Sequence, residues 1–184
     1  VTKTQGTEVC TKYDEVEITY NPVTATASSQ KVCLPTATLD GNNPAVNGAT
    51  GYWTAKSSSV KFDDSTDYDT AVRNLNQGTN HLTWTVTKGI CSTSAPITVT
   101  YNGFTLSAGP PVRVCAESAS LPAVAPSAGS SGKWTNGVGS GTVQAISTFN
   151  STVTNLSIND NSFIWTVTNE YNCSASAEYY VYND

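Results

Sequence analysis

Apolar and polar residues alternate one by one along several short stretches of this chain. From Leu82 to Thr87 every second residue is apolar and threonines lie between, and the stretch from Phe163 to Thr168 largely repeats this pattern. A period of two residues with threonine on one face is typical of an antiparallel strand that buries its other face. Turn-forming residues such as 40–44 and 88–89 separate the stretches. Since no stretch keeps an apolar period of 3.6 residues over the length of a helix, the pattern predicts an all-β chain.

The strand pattern recurs with a period of about 81 to 82 residues. Trp53 and Trp134 lie 81 residues apart, and the segment Trp84–Thr87 recurs without change at Trp165–Thr168. One period has room for about seven short strands, which is the size of an immunoglobulin-like β-sandwich. The sequence therefore predicts tandem immunoglobulin-like β-sandwich repeats.

The same period divides the chain. Residues 18–21 match residues 99–102, which lie 81 positions further on. We therefore expect residues 1–21 to be the last strand of a preceding repeat, followed by one repeat over 22–102 and a second over 103–184. On this expectation the chain is a piece cut from a longer, exported array.

Five cysteines follow the period, and two pairings fit their spacing. The first pairing joins Cys33 to Cys91 and Cys115 to Cys173, each within one repeat, and leaves Cys10 unpaired by truncation. The second joins Cys10 to Cys33 and Cys91 to Cys115 across the repeat boundaries. We favour the first pairing, because each repeat is then stapled on its own. Either pairing implies an oxidising, extracellular setting.

Four tryptophans are the predicted centre of the two cores. They recur in both repeats, at the apolar phase of their strands, which favours a core position over an exposed row that stacks on sugars. These residues are Trp53, Trp84, Trp134 and Trp165.

Composition excludes several functions. Thr, Ser and Asn make up 65 of the 184 residues, and charged residues only 12%, against about 25% in ordinary soluble proteins. The net charge of −5 argues against nucleic-acid binding, which needs clustered cations. No run of 18 apolar residues is long enough to span a membrane. The single histidine, His81, has Ser162 as its counterpart, so no catalytic residue is assigned and we expect no enzyme.

Several motifs of the repeat resemble those of a known family. They are Lys31–Cys33 with Arg113–Cys115, Gly51–Trp53 with Gly132–Trp134, and the repeated Trp-Thr-Val-Thr strand followed by a cysteine. This order resembles the tandem immunoglobulin- or PKD-like repeats of large Bacteroidota cell-surface proteins, in particular the SprB-type gliding-motility adhesins. The resemblance implies type IX secretion, a cell-surface filament, and contacts with neighbouring repeats, with an extracellular substratum or surface glycans, and with the cell-surface motility machinery. A carbohydrate-binding module or a passive spacer of a secreted protein is the alternative.

One loop carries the remaining candidate sites. Four acids in seven positions offer oxygen ligands for Ca²⁺, although the matching stretch 144–150 has no acid, so we expect no obligatory cofactor. Two short Asp-Ser/Thr motifs in the same loop resemble sites of bacterial O-glycosylation. The calcium candidates are Asp63, Asp64, Asp67 and Asp69, and the glycosylation candidates are Ser65 and Thr70.

Overall fold

The structure, a computed structural model, describes residues 2–6, 8–17 and 22–184. Apart from a single turn of 3₁₀ helix at Ala45–Asn47, the regular elements of these residues are strands. None of the described residues belongs to a helix that has the length and the apolar character needed to cross a membrane.

The first unit contains seven strands in two sheets. The sheet orders are β3-β9-β8-β5 and β4-β7-β6, and β3 runs parallel to β9 whereas the other pairs are antiparallel. Between β3 and β8 the chain crosses four times from one sheet to the other, and buried residues of both sheets form one core. The strands are β3 (Gln30–Val32), β4 (Thr36–Thr38), β5 (Thr50–Ala55), β6 (Lys61–Phe62), β7 (Ala71–Arg73), β8 (Gly78–Lys88) and β9 (Cys91–Tyr101).

The second unit repeats this topology. Its sheets are β10-β16-β15-β12 and β11-β14-β13, and β10 is again the strand that runs parallel to the last strand, β16. Seven strands in two such sheets form an immunoglobulin-like β-sandwich, so the predicted fold class is confirmed. The strands are β10 (Val112–Val114), β11 (Ser118–Ser120), β12 (Ser131–Asn136), β13 (Thr142–Val143), β14 (Thr152–Thr154), β15 (Asn159–Thr168) and β16 (Ser174–Asn183).

The N-terminal residues form a separate hairpin. Strands β1 (Thr2–Gln5) and β2 (Glu8–Thr11) pair in antiparallel fashion. The match between residues 18–21 and a last strand falls outside the described residues. The division of the chain into 1–21, 22–102 and 103–184 therefore stays a prediction.

Each sandwich is built around a pair of tryptophans, and all four tryptophans are at most 2% exposed. Trp53 on β5 lies directly opposite Trp84 on β8, and their ring centroids are 5.0 Å apart. Trp134 and Trp165 occupy the same places in the second unit, also 5.0 Å apart. Buried rings of this size contribute much of the apolar surface that stabilises a small sandwich.

A buried asparagine satisfies the backbone of the loop before β8. The Nδ2 group of Asn80 donates to the carbonyls of Asn76, Gly78 and Val99 at 2.8, 3.1 and 3.2 Å. Its Oδ1 accepts the amide of Asn76 at 2.9 Å. Asn161 makes the corresponding four bonds in the second unit. Because these buried polar groups all have partners, the loop is held in one arrangement.

Candidate functional site

The outstanding site of the described residues is the joint between the two units. Cys33, just after β3 of the first unit, forms a disulfide with Cys173, which lies in the hairpin loop between β15 and β16 of the second unit. The Cα atoms of the two cysteines are 5.2 Å apart, although 140 residues separate them in sequence. The units are thus connected covalently twice, by the backbone between residues 102 and 103 and by this disulfide.

The favoured pairing within each repeat, Cys33–Cys91 and Cys115–Cys173, was wrong. Val32 pairs with Tyr101, so Cys33 lies beside the end of β9, whereas Cys91 is the first residue of that strand. Ten residues of extended strand span roughly 34 Å. A disulfide allows only about 7 Å between Cα atoms.

The parallel first strand thus places the two cysteines of a unit at opposite ends of the sandwich. In the second unit, the register of β10 on β16 separates Cys115 from Cys173 in the same way. The alternative pairing was wrong as well, because Cys33 is bonded to Cys173, and Cys91 and Cys115 are both free thiols. The side chain of Cys10 lies outside the described part of the chain.

A glycine allows the two units to approach closely. Gly103, the second residue after the end of β9, lies so near the carbonyl of Cys33 and the ring of Tyr101 that a Cβ atom would overlap both. The amide of Asn102 donates to the carbonyl of Val32 at 2.8 Å, which fixes the exit of the chain from the first unit. The join at 102–103 is therefore short and closely packed rather than a free linker.

Side chains of the second unit's hairpin loop complete the joint. The Nδ2 group of Asn169 donates to the carbonyl of Asn102 at 2.8 Å, and its Oδ1 accepts the amide of Cys173 at 3.0 Å. The ammonium of Lys31 lies 5.5 Å from the ring centroid of Tyr171, within the range of a cation–π contact. Asn169 thus fixes the disulfide's loop and contacts the first unit at the same time. We define the inter-unit joint as the following residues: Lys31, Cys33, Asn102, Gly103, Asn169, Tyr171 and Cys173.

The acidic loop of the first unit uses two of its acids in local contacts. Arg73 donates from Nε and Nη2 to the two carboxylate oxygens of Asp63, both at 2.6 Å. Asp64 accepts bonds from the amide and the hydroxyl of Thr66 at 2.8 and 2.7 Å. These donors hold the pKa values of Asp63 and Asp64 below their usual range. Within the described residues, no group of three or more His, Cys, Asp or Glu side chains is arranged to hold a metal ion.

The other two acids of this loop interact unfavourably when both are ionised. A hydrogen bond to Asp69 raises the pKa of Asp67, and repulsion between the carboxylates acts in the same direction. A folded-state pKa above the unfolded one stabilises the fold at low pH, and this contribution is lost as pH rises through the folded value.

We therefore expect Asp67→Asn to raise the free energy of unfolding at pH 7. This gain should shrink as pH falls through the raised pKa of Asp67, and should vanish below about 4, the ordinary range of aspartate. Urea unfolding across pH 3 to 7 measures both. Asp63→Asn is the matched contrast in the same loop. Because the pKa of Asp63 is lowered, its contribution is present at neutral pH and lost on acidification, so this variant should be less stable than the wild type at pH 7. The same sign for both variants would contradict the prediction.

The two glycosylation candidates lie in different environments. Ser65 is exposed, whereas Thr70 is only 5% exposed and its hydroxyl accepts the amide of Asp64 at 3.0 Å. A glycan on Thr70 would require this loop to open, so the folded unit leaves Ser65 as the accessible candidate. His81 is an exposed residue of β8, with Thr98 opposite.

The sequence matches no protein-family model and no curated protein sequence. Among solved structures it is similar to extracellular domains 3–5 of Drosophila OTK, with 10% identity, coverage of 86% of this chain and 61% of that chain, and a TM-score of 0.45. It is similar to the insect immune protein hemolin, with 11% identity, coverage of 92% and 48%, and a TM-score of 0.44. It is also similar to an endo-fucoidan hydrolase of glycoside hydrolase family 107, with 16% identity, coverage of 84% and 27%, and a TM-score of 0.30. The chain spans less than two thirds of each of these proteins, and likenesses of this degree say nothing about what it binds.

Proposed function

We propose that this chain is a structural and adhesive segment of an extracellular rod built from tandem immunoglobulin-like units. The observation that carries the proposal is the Cys33–Cys173 disulfide between the units. Two units joined by one flexible connection pivot freely, whereas a second covalent connection restricts bending and twisting at the joint. Such a joint is suited to transmitting force or maintaining reach along a rod.

Two further features support an extracellular, load-bearing role. Disulfides persist in oxidising compartments and are rare in the cytosol. The short join at 102–103 and the bond from Asn169 to Asn102 keep the units in contact without a Gly/Ser linker. The chain is therefore built for a fixed relation between neighbouring units.

The finer proposal is that the rod is a secreted bacterial cell-surface filament, a gliding-motility adhesin. It is supported by the motif order that resembles SprB-type repeats. On this proposal the filament leaves the cell by type IX secretion, contacts a substratum or surface glycans, and is moved by the cell-surface motility machinery. Neighbouring repeats of the same chain are its immediate partners.

Antibody-coated beads test this function directly. Latex beads carrying an antibody raised against this chain are added to live cells of the source organism and tracked by light microscopy. We expect the beads to bind and to be carried along the cell surface, and to stop when the cells are depleted of energy. Beads with an unrelated antibody, and beads preincubated with soluble chain, are the controls. Beads that bind but show no directed motion would reject the gliding assignment and favour a passive spacer or a carbohydrate-binding module.

A further inference from the structure

We propose that Cys115 and Cys91 are the open halves of two further joints of the same kind. In this proposal Cys115 bonds the hairpin cysteine of a following unit, and Cys91 bonds the first-strand cysteine of a preceding unit. The inference rests on the proposed function, because it takes the rod to contain further units of this type. Each unit then contributes one cysteine to the joint before it and one to the joint after it.

Cys115 occupies the same position in the second unit as Cys33 in the first. In each unit the cysteine directly follows the first strand, which runs parallel to the last strand. The carbonyl of the residue just before the cysteine accepts a hydrogen bond from the amide of the residue that ends the unit. Val32 accepts from Asn102 at 2.8 Å, and Val114 accepts from Asp184 at 2.9 Å. Cys115 is exposed, as Cys33 is, so it is accessible to a partner at the end where the chain leaves the unit.

Cys91 occupies the position of Cys173, at the loop between the two longest strands of its unit. Cys173 is 2% exposed, whereas Cys91 is partly exposed. Beside Cys91 lies Ile90, an isoleucine that is fully exposed at the tip of its hairpin. The corresponding tip residue of the second unit, Tyr171, contacts Lys31 across the joint. A fully exposed isoleucine at this position is expected if a preceding unit packs against the hairpin tip in the complete rod.

The end of the second unit that carries Cys115 also has a cationic side chain where the first unit has Lys31. Arg113 occupies the register position of Lys31, on the strand that ends at the open cysteine. Its guanidinium lies 4.6 Å from the ring centroid of Tyr182 and pairs with Asp184 at 3.1 Å. The cation is therefore oriented beside the residue that ends the unit, close to where a following hairpin tip would arrive. These matches make the two ends of the chain complementary to each other, so the joints are directional.

The chemistry of each new joint is an ordinary thiol oxidation. Two S–H bonds break and one S–S bond forms, and two protons and two electrons pass to a disulfide oxidant. In the test below the oxidant is oxidised glutathione, which becomes two molecules of reduced glutathione by thiol–disulfide exchange.

A chain with a third unit tests the Cys115 joint. The full 184-residue chain is followed directly by a second copy of residues 103–184, so that Asp184 takes the place of Asn102 at the new join. The added copy carries Cys115→Ser, which leaves one cysteine in it, and Ser176→Thr as a mass marker. After refolding with reduced and oxidised glutathione, free thiols are alkylated and disulfide-linked peptides are identified by mass spectrometry.

We expect the peptide with Cys115 to be linked to the marked hairpin peptide of the added copy, while Cys33 stays linked to the unmarked one. A second three-unit chain, with Cys115→Ser in the middle unit also, should leave the added hairpin cysteine open to alkylation. If Cys115 is found alkylated, and was therefore a free thiol after refolding, the proposal is wrong. It is also wrong if Cys115 is linked to the unmarked hairpin peptide of its own unit.

The Cys91 joint is tested on protein isolated from the source cells with thiols alkylated before lysis. We expect Cys91 to resist alkylation until the disulfides are reduced, and to be linked to a cysteine outside residues 1–184. Alkylation of Cys91 without reduction, or a link from Cys91 to Cys10 or Cys115, would overturn the proposed Cys91 joint. The bead assay tests the gliding function, and the two disulfide measurements test the additional joints, so each proposal can be refuted without the other. Correct links with immobile beads would refute gliding alone, and moving beads with unlinked cysteines would refute the additional joints alone.

Discussion

Replacing Gly132 with alanine is expected to destabilise the second unit by at least about 3 kcal/mol, at the upper end of the cost of overpacking a core. Gly132 lies on β12 opposite Val167, and the buried indole of Trp165 lies directly over it, where a Cβ atom would overlap the six-membered ring. The indole cannot retreat easily, because Trp165 is fully buried and packs against Trp134. Urea unfolding monitored by tryptophan fluorescence measures the loss.

Two other glycines of the chain provide an equivalent substitution in the first unit and a control substitution. Gly51 lies under Trp84 in the same way, so Gly51→Ala should destabilise the first unit to a similar extent. At Gly109 a Cβ atom would meet nothing within 4 Å, so Gly109→Ala should change the free energy of unfolding by less than about 1 kcal/mol. Equal effects at Gly132 and Gly109 would show that the indole does not occupy this place.

The fold was predictable because it depends on patterns within one repeat. The alternation of apolar residues with threonine gave the strands, and the recurring tryptophans gave the core, since strand faces are read directly from a period of two. The glycines under the indoles were visible only as part of a recurring motif. Their steric role depends on which ring covers them across the sheet, and that requires coordinates.

The joint was not predictable from the repeat. Cys33 and Cys173 belong to different units, and a spacing of 140 residues gives no local signal. The deciding feature is the parallel pairing of β3 with β9, which moves Cys33 to the opposite end of the unit from Cys91. A parallel edge strand of three residues, Gln30–Val32, is too short to be recognised by its pattern. The role of Asn169 was missed for a similar reason, because the residue that it contacts lies in the other unit.

Breaking the joint with Cys33→Ser is expected to lower the free energy of unfolding of either unit by about 4 kcal/mol. While one unit stays folded, the disulfide closes a loop of roughly 70 residues in the other, and closing such a loop restricts the unfolded chain by this amount. Cys173→Ser removes the same bond and should give a similar loss. Urea unfolding measures the loss, and small-angle X-ray scattering of the folded protein should show a broader distribution of distances between the units.

The matched controls are Cys91→Ser and Cys115→Ser, which remove free thiols and should change stability by less than about 0.5 kcal/mol. The double variant Cys33→Ser with Cys173→Ser separates the bond from the two side chains. Because both single variants lose one shared interaction, their effects should not add, and the double variant should be about as stable as either single one. Additive losses would mean that the two residues stabilise their own units separately, and the disulfide would then not hold the joint.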